Sequence, residues 1–99
     1  MSEIVKINVN ELRKGIAERM KVLRAALGIN QKEMSKIAQM NQSNYSAIEM
    51  ARTTMQAKNI IAVHQALGDP TTKEYKQLKK YNIHVTCDWL LTGEQALID

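Results

Sequence analysis

The sequence predicts an all-α fold, a compact domain of five to six short helices. Three observations carry this reading. Apolar residues recur at three- and four-residue spacing along most of the chain, the period of one helix face. Asn, Thr and Gly stand where those stretches begin and end. Loose alternation appears only at the start, at Ile4, Val5, Ile7 and Val9. That is too little for a sheet, and residues 1–10 are expected to form an N-terminal arm.

The first helix is expected from about Glu11 to Leu27. Asn10 would cap it, Leu12, Ile16, Met20, Leu23 and Leu27 form one stripe, and Gly28 supplies the left-handed residue that ends it. A second start follows at once. Asn30 is an N-cap with Glu33 three residues on, and Ile29 and Met34 form a hydrophobic staple. Met34, Ile37 and Ala38 give the buried face of about two turns. The same grammar returns at Asn41, with Met40 and Tyr45 as the staple. The third helix then runs from Gln42 to about Met50, with Tyr45 and Ile48 inward. Only Gln39, Met40 and Asn41 join these two helices. So short a connection forces a large angle, the helix-turn-helix geometry, here over residues 31–50.

A fourth helix is expected from Met55 to Leu67, apolar at Ile60, Ile61, Val63 and Leu67 and stopped by Gly68. Asp69–Pro70 marks a turn. Thr71 with Glu74 reads as a capping box opening a polar helix from about Thr72 to Tyr81, whose core residues are Tyr75, Leu78 and Tyr81. Lys73, Lys76, Lys79 and Lys80 dominate its outer face and read as a solvated surface. A last short helix starts after Thr86, carries Trp89, Leu90 and Leu91, and stops at Gly93, leaving residues 94–99 as a tail.

With 99 residues the chain has room for one domain, residues 11–93. Fourteen Lys and Arg against ten Asp and Glu give +4 and a pI near 9.3, which permits a polyanionic partner without demanding one. The lone Cys87 excludes an internal disulfide. No apolar h-region opens the chain and no run approaches the ~18–20 apolar residues of a bilayer span, so the cytoplasm is the default address and no membrane partner is expected. His84, Cys87 and Asp88 share one short segment and do not make a closed zinc site, so no metal is expected. No Ser-His-Asp set, carboxylate pair or phosphate loop appears. An enzyme, a cofactor and a small-molecule ligand are therefore not expected. Met20, Met34, Met40, Met50 and Met55 fall at core spacing and read as gap-fillers, and His64 as a packed histidine.

The third helix carries the function. With Tyr45 and Ile48 buried, its outer face offers Gln42, Ser43, Asn44, Ser46 and Ala47. These are neutral hydrogen-bonding groups and one methyl, where a solvent-facing helix usually carries Lys and Glu. Amides pair with adenine, hydroxyls with either base, and a methyl with thymine, so this face suits the floor of the DNA major groove. Lys32, Lys36, Arg52 and Lys58 flank it and could supply a phosphate-facing rim.

Residues 19–68 and 85–93 resemble the phage repressor/Cro (XRE-type) helix-turn-helix DNA-binding family. The resemblance rests on the run Leu23-Arg24-Ala25-Ala26-Leu27-Gly28-Ile29-Asn30-Gln31, on Tyr45, Ile48 and Glu49, and on the closing Val85-Thr86-Cys87-Asp88-Trp89-Leu90-Leu91-Thr92-Gly93. It implies a repressor-like domain. The chain departs from the pattern at Ser35 and Gln39, where the family has Ala and Gly, and at Ala51 and Met55, where it has Gly and Pro. Residues 69–84 look like an insertion. The resemblance implies that Gln31 and Asn41 meet phosphates and that Gln42, Ser43, Asn44 and Ala47 read bases, with Ser46 able to do either. It also implies that Arg52, Thr53 and Thr54, with Lys58 and Asn59, grip a second phosphate run, and that Glu49 is structural. The implied partners are double-stranded DNA and a second copy of the chain, in a transcriptional regulator, a repressor. The alternative is a protein-interaction module or antitoxin-like accessory that uses the same fold without operator recognition.

Overall fold

The computed structural model describes residues 8–94. These form six helices and no strand: α1 (Val9–Leu27), α2 (Gln31–Ile37), α3 (Gln42–Glu49), α4 (Ala57–Leu67), α5 (Lys73–Lys79) and α6 (Cys87–Thr92). The all-α reading holds. Most of the expected N-terminal arm and of the 94–99 tail lies outside the described residues.

Side-chain caps set most of the helix starts. Asn30 accepts from the Glu33 N–H at 2.8 Å, Asn41 from the Asn44 N–H at 2.8 Å, and Thr86 from the Trp89 N–H at 3.0 Å. Two caps sit elsewhere than expected. Asn8, not Asn10, caps α1, accepting from Glu11 at 3.2 Å, so Asn10 lies inside the first turn. Thr72, not Thr71, caps α5. The Thr71 hydroxyl and N–H are both taken by the Asp69 carboxylate, at 2.7 and 2.9 Å, inside the Asp-Pro turn. α4 starts at Ala57 rather than Met55, which is buried in the preceding loop.

α1 is the spine, packing against α3, α5 and α6, while α2 packs on α3 and α4, and α4 on α6. Ile16, Met20 and Leu23 of α1 meet Tyr45, Ile48, Val63, Leu67, Leu78 and Leu90 in one core. Burying each such side chain contributes about 1.5–3 kcal/mol before chain entropy opposes it. Three residues of the expected apolar faces are outside it, since Ile61, Tyr81 and Leu91 are exposed. Segment 69–84 belongs to the same core, because Leu78 is 1 % exposed and Gln77 donates to the Ala26 carbonyl at 3.2 Å. Its lysines face solvent, and His84 sits edge-on to Tyr75 with ring centroids 6.2 Å apart.

Polar clamps fix the closing helix. Arg19 donates to the Leu90 and Leu91 carbonyls at 2.9 and 3.0 Å, tying the end of α6 to α1. Gly68 is required by close approach, since a Cβ there would lie 2.6 Å from the His64 carbonyl and 3.0 Å from that of Val85. No described helix is long and apolar enough to cross a membrane.

Candidate nucleic-acid interface

The corner between α2 and α3 is built from local chemistry. Gln39 takes a left-handed backbone, φ 57°, and the N–H groups of Gln39 and Met40 return to the carbonyls of Lys36 and Ser35 at 3.1 and 3.0 Å. This paired closure ends a helix abruptly. Ser35 is buried at the crossing, its hydroxyl donating to the Lys32 carbonyl, so this small polar side chain is accommodated there. From below, the Asn59 amide donates to the Ala38 carbonyl at 2.9 Å and to that of Gln39 at 3.4 Å.

α3 is held by its inner face. Tyr45 and Ile48 enter the core, and Glu49 accepts two hydrogen bonds from Arg24, at 2.6 and 2.9 Å, and one from Gln31 at 3.2 Å. The Glu49 side chain is 4 % exposed and that of Arg24 26 %. Burial alone would push the Glu49 carboxyl up, but the hydrogen bonds from Arg24 and Gln31, with the charge of Arg24, hold it below the usual carboxylate value. Burial drives the adjacent Tyr45 hydroxyl far above its ordinary pKa, so it stays protonated. Glu49 is thus a structural anchor for α3.

At 100° per residue, the side of α3 opposite Tyr45, Ile48 and Glu49 is a line through Ser43, Ala47 and Met50, with Ser46 beside it. Gln42 and Asn44 stand on opposite edges of that line. Gln42, Ser43, Ser46, Ala47 and Met50 border one shallow hollow of about 440 Å³ together with Gln31 and Arg52. Asn44 instead faces a second groove, of about 440 Å³, that it shares with Asn41, Thr53, Thr54 and Lys58. No ionic side chain interrupts the face between them, and Arg52 and Lys58 stand exposed at its two margins.

Two sequence-derived assignments change. Asn59, expected at a phosphate, is 5 % exposed with its amide committed to the α2–α3 turn, so it is a strut of the motif. Met50, expected in the core, is 56 % exposed on the outer face of α3. Others acquire partners. Gln31 spends one amide N–H on Glu49, and Thr54 accepts from Arg13 Nε at 3.1 Å, which ties the first turns of α1 to the loop after α3. Arg13 was missed because nothing local marks it; its partner is 41 residues away. Met50 had a signal, its seven-residue separation from Ser43, which outranks the apolar character of its type. The loop after α3 turns left-handed without a Gly. Ala51 adopts φ 58°, with its N–H and that of Arg52 bonded back to Ile48 and Ala47, each at 3.0 Å.

A family model described as a helix-turn-helix domain matches residues 17–95. The chain belongs to the helix-turn-helix domain family. Searches of curated proteins and of solved structures returned no significant match. The family match covers α2, the corner and α3, and runs through α5 to the closing helix. A helix-turn-helix domain is a DNA-binding architecture that presents its second helix outward. Here the second helix is α3, with its neutral face open and its charged residue Glu49 turned inward.

Proposed function

We propose that this helix-turn-helix protein is a sequence-specific regulator of transcription, a repressor of the phage repressor/Cro type. It sets α3 into the major groove of double-stranded DNA. The observation that carries this reading is the composition of one exposed surface. Gln42, Ser43, Ser46 and Ala47 lie together, free of ionic side chains, between the exposed cations Arg52 and Lys58. Base edges are read by such donors, acceptors and methyls, whereas cations serve phosphates.

In this reading Gln42, Ser43, Ser46 and Ala47 meet bases, and Asn44 reaches a base from the opposite edge. Gln31 offers a phosphate its second amide N–H, since the first is held by Glu49. Asn41 accepts from Asn44 through its carbonyl oxygen, which leaves its NH2 for a phosphate. Arg52, Thr53 and Lys58 line the backbone, with Thr54 positioned by Arg13. One such helix reads only a few base pairs, so useful affinity calls for a homodimer on a two-fold site.

Selection from random duplex DNA tests this. The expected product is an inverted repeat with half-site centres about 10–10.5 base pairs apart, or a multiple, bound with steep salt dependence. Absence of any selected sequence, with no salt-dependent binding, overturns it. A second reading, a protein-interaction module, is favoured by one feature. Val22 and Tyr81, both exposed, border an apolar hollow with Ala25, Ala26 and Ile83. That reading predicts a tight protein partner and no DNA binding.

A further inference from the structure

We infer that Met50 is a specificity residue that reads the 5-methyl group of thymine at one position of the half-site, next to the base contacts of Ala47. The inference rests on the proposed reading of α3 and extends it to a residue outside the neutral polar set.

Three observations point to it. First, Met50 breaks the pattern of its kind. Met20, Met34 and Met55 are buried in the core, whereas Met50 is 56 % exposed with the core already filled beneath it by Tyr45 and Ile48. Second, its place is fixed. Its N–H is held by the Ser46 carbonyl at 3.1 Å, and the chain turns sharply at Ala51 immediately after it. The thioether therefore projects from a defined point. Third, its neighbours are those of the base-reading face. Met50 continues the line of Ser43 and Ala47, and it borders the same hollow as Gln42, Ser46 and the cation Arg52.

The chemistry then selects the target. A thioether donates no hydrogen bond, carries no charge and accepts only weakly, so it gains nothing from a phosphate or a base carbonyl and little from an amino group on a base edge. The thymine methyl is the one apolar group on the major-groove edge of the four bases. Methionine is flexible and polarizable, which suits closure on a single methyl. Seven residues at 1.5 Å each place Met50 roughly 10 Å along the helix from Ser43, so it addresses a different base pair.

The test removes that methyl and nothing else. In the duplex obtained by selection, each thymine is replaced singly by deoxyuridine, which keeps every hydrogen-bonding group. The wild-type protein is expected to lose about three- to tenfold in affinity at one position from the Met50 contact, in keeping with one buried methyl. Met50→Ala should bind the thymine and uracil duplexes alike at that position. Met50→Leu, still apolar, should keep the preference. Both variants should melt like the wild type, because the side chain is outside the core. Equal affinity for thymine and uracil everywhere, a selected site without thymine, or a preference unchanged in Met50→Ala overturns this inference while leaving the proposed function intact. Failure to select any sequence overturns both.

Discussion

α1 and α3 end with the same turn and use different residues to make it. After α1, Gly28 takes φ 67°, and the N–H groups of Gly28 and Ile29 return to the carbonyls of Ala25 and Arg24. After α3, Ala51 takes φ 58°, and the N–H groups of Ala51 and Arg52 return to Ile48 and Ala47. Glycine enters this region freely, while a residue with a Cβ is strained by about 1–2 kcal/mol. Gln39, at φ 57° before α3, is strained in the same way. The scaffold helices α1 and α6 close on Gly28 and Gly93, the turn after α5 uses Asn82 at φ 56°, a residue type that tolerates this region, and the helix with the open polar face is bracketed by Gln39 and Ala51, which do not favour it. Such strain persists only where the surroundings over-determine the backbone. Here the surroundings are Glu49 beneath the end of α3 and Asn59 beneath its start.

The largest effect should come from the support at the end of α3. Glu49→Ala removes both bonds to Arg24 and leaves the guanidinium partly buried without its partner. The expected loss is about 2–4 kcal/mol, at the low end for a broken buried pair because Arg24 keeps some solvent. Denaturant unfolding measures it, and a loss under about 0.5 kcal/mol would mean that the pair does not anchor α3. The pH dependence has a definite sign. The Glu49 pKa is lowered in the folded protein from its ordinary 4.5, so its contribution is fully present above that value. It is lost as pH falls through the folded pKa. The gap between wild type and Glu49→Ala should therefore shrink in acid, below about pH 4.5.

Next in size is the strut before α3. Asn59→Ala strips the donor from the buried carbonyl of Ala38 and the part-buried one of Gln39 and should cost about 1–3 kcal/mol. The variant separates a strut from a phosphate contact. A strut lowers the melting temperature and leaves the salt slope of DNA binding unchanged. A phosphate ligand flattens that slope by about one unit with little effect on melting.

These residues also show what could be read from the chain and what could not. Asn30, Asn41 and Thr86 were legible as caps because each closes a ring with an N–H three residues ahead, a relation contained in the sequence. The inward placement of Tyr45 and Ile48 followed from helical period. The cap at Thr72 was missed by one residue because Asp69 competes for Thr71. Asn59 was misassigned because its partners lie 21 and 20 residues back, across the fold, and no local pattern distinguishes a surface amide from one that props a turn. Met50 was misread by giving residue type precedence over periodicity.

The scaffold turn should respond to Gly28→Ala with a loss of about 1 kcal/mol, after strain is offset by the smaller entropy of the unfolded chain. A Cβ at Gly28 meets nothing within 4 Å, so the loss would be backbone strain alone, without a clash.

The smallest effect has the opposite sign and is the sharpest test of the comparison. Ala51→Gly relieves about 1–2 kcal/mol of strain and adds about 0.5–1 kcal/mol of unfolded-state entropy. The net is a gain of roughly 0.5 kcal/mol, a rise of a few degrees in melting temperature for a domain of this size. If Ala51→Gly stabilises while Gly28→Ala destabilises, both turns share one left-handed geometry and differ only in the residue that occupies it. If Ala51→Gly destabilises, the chain does not turn left-handed at Ala51, and the line from Ser43 through Ala47 to Met50 loses its fixed end. The same variant separates strain from function. Should affinity for the selected duplex fall while stability rises, the methyl of Ala51 serves to hold the end of α3 rigid against the DNA, and its strain is retained because binding depends on it.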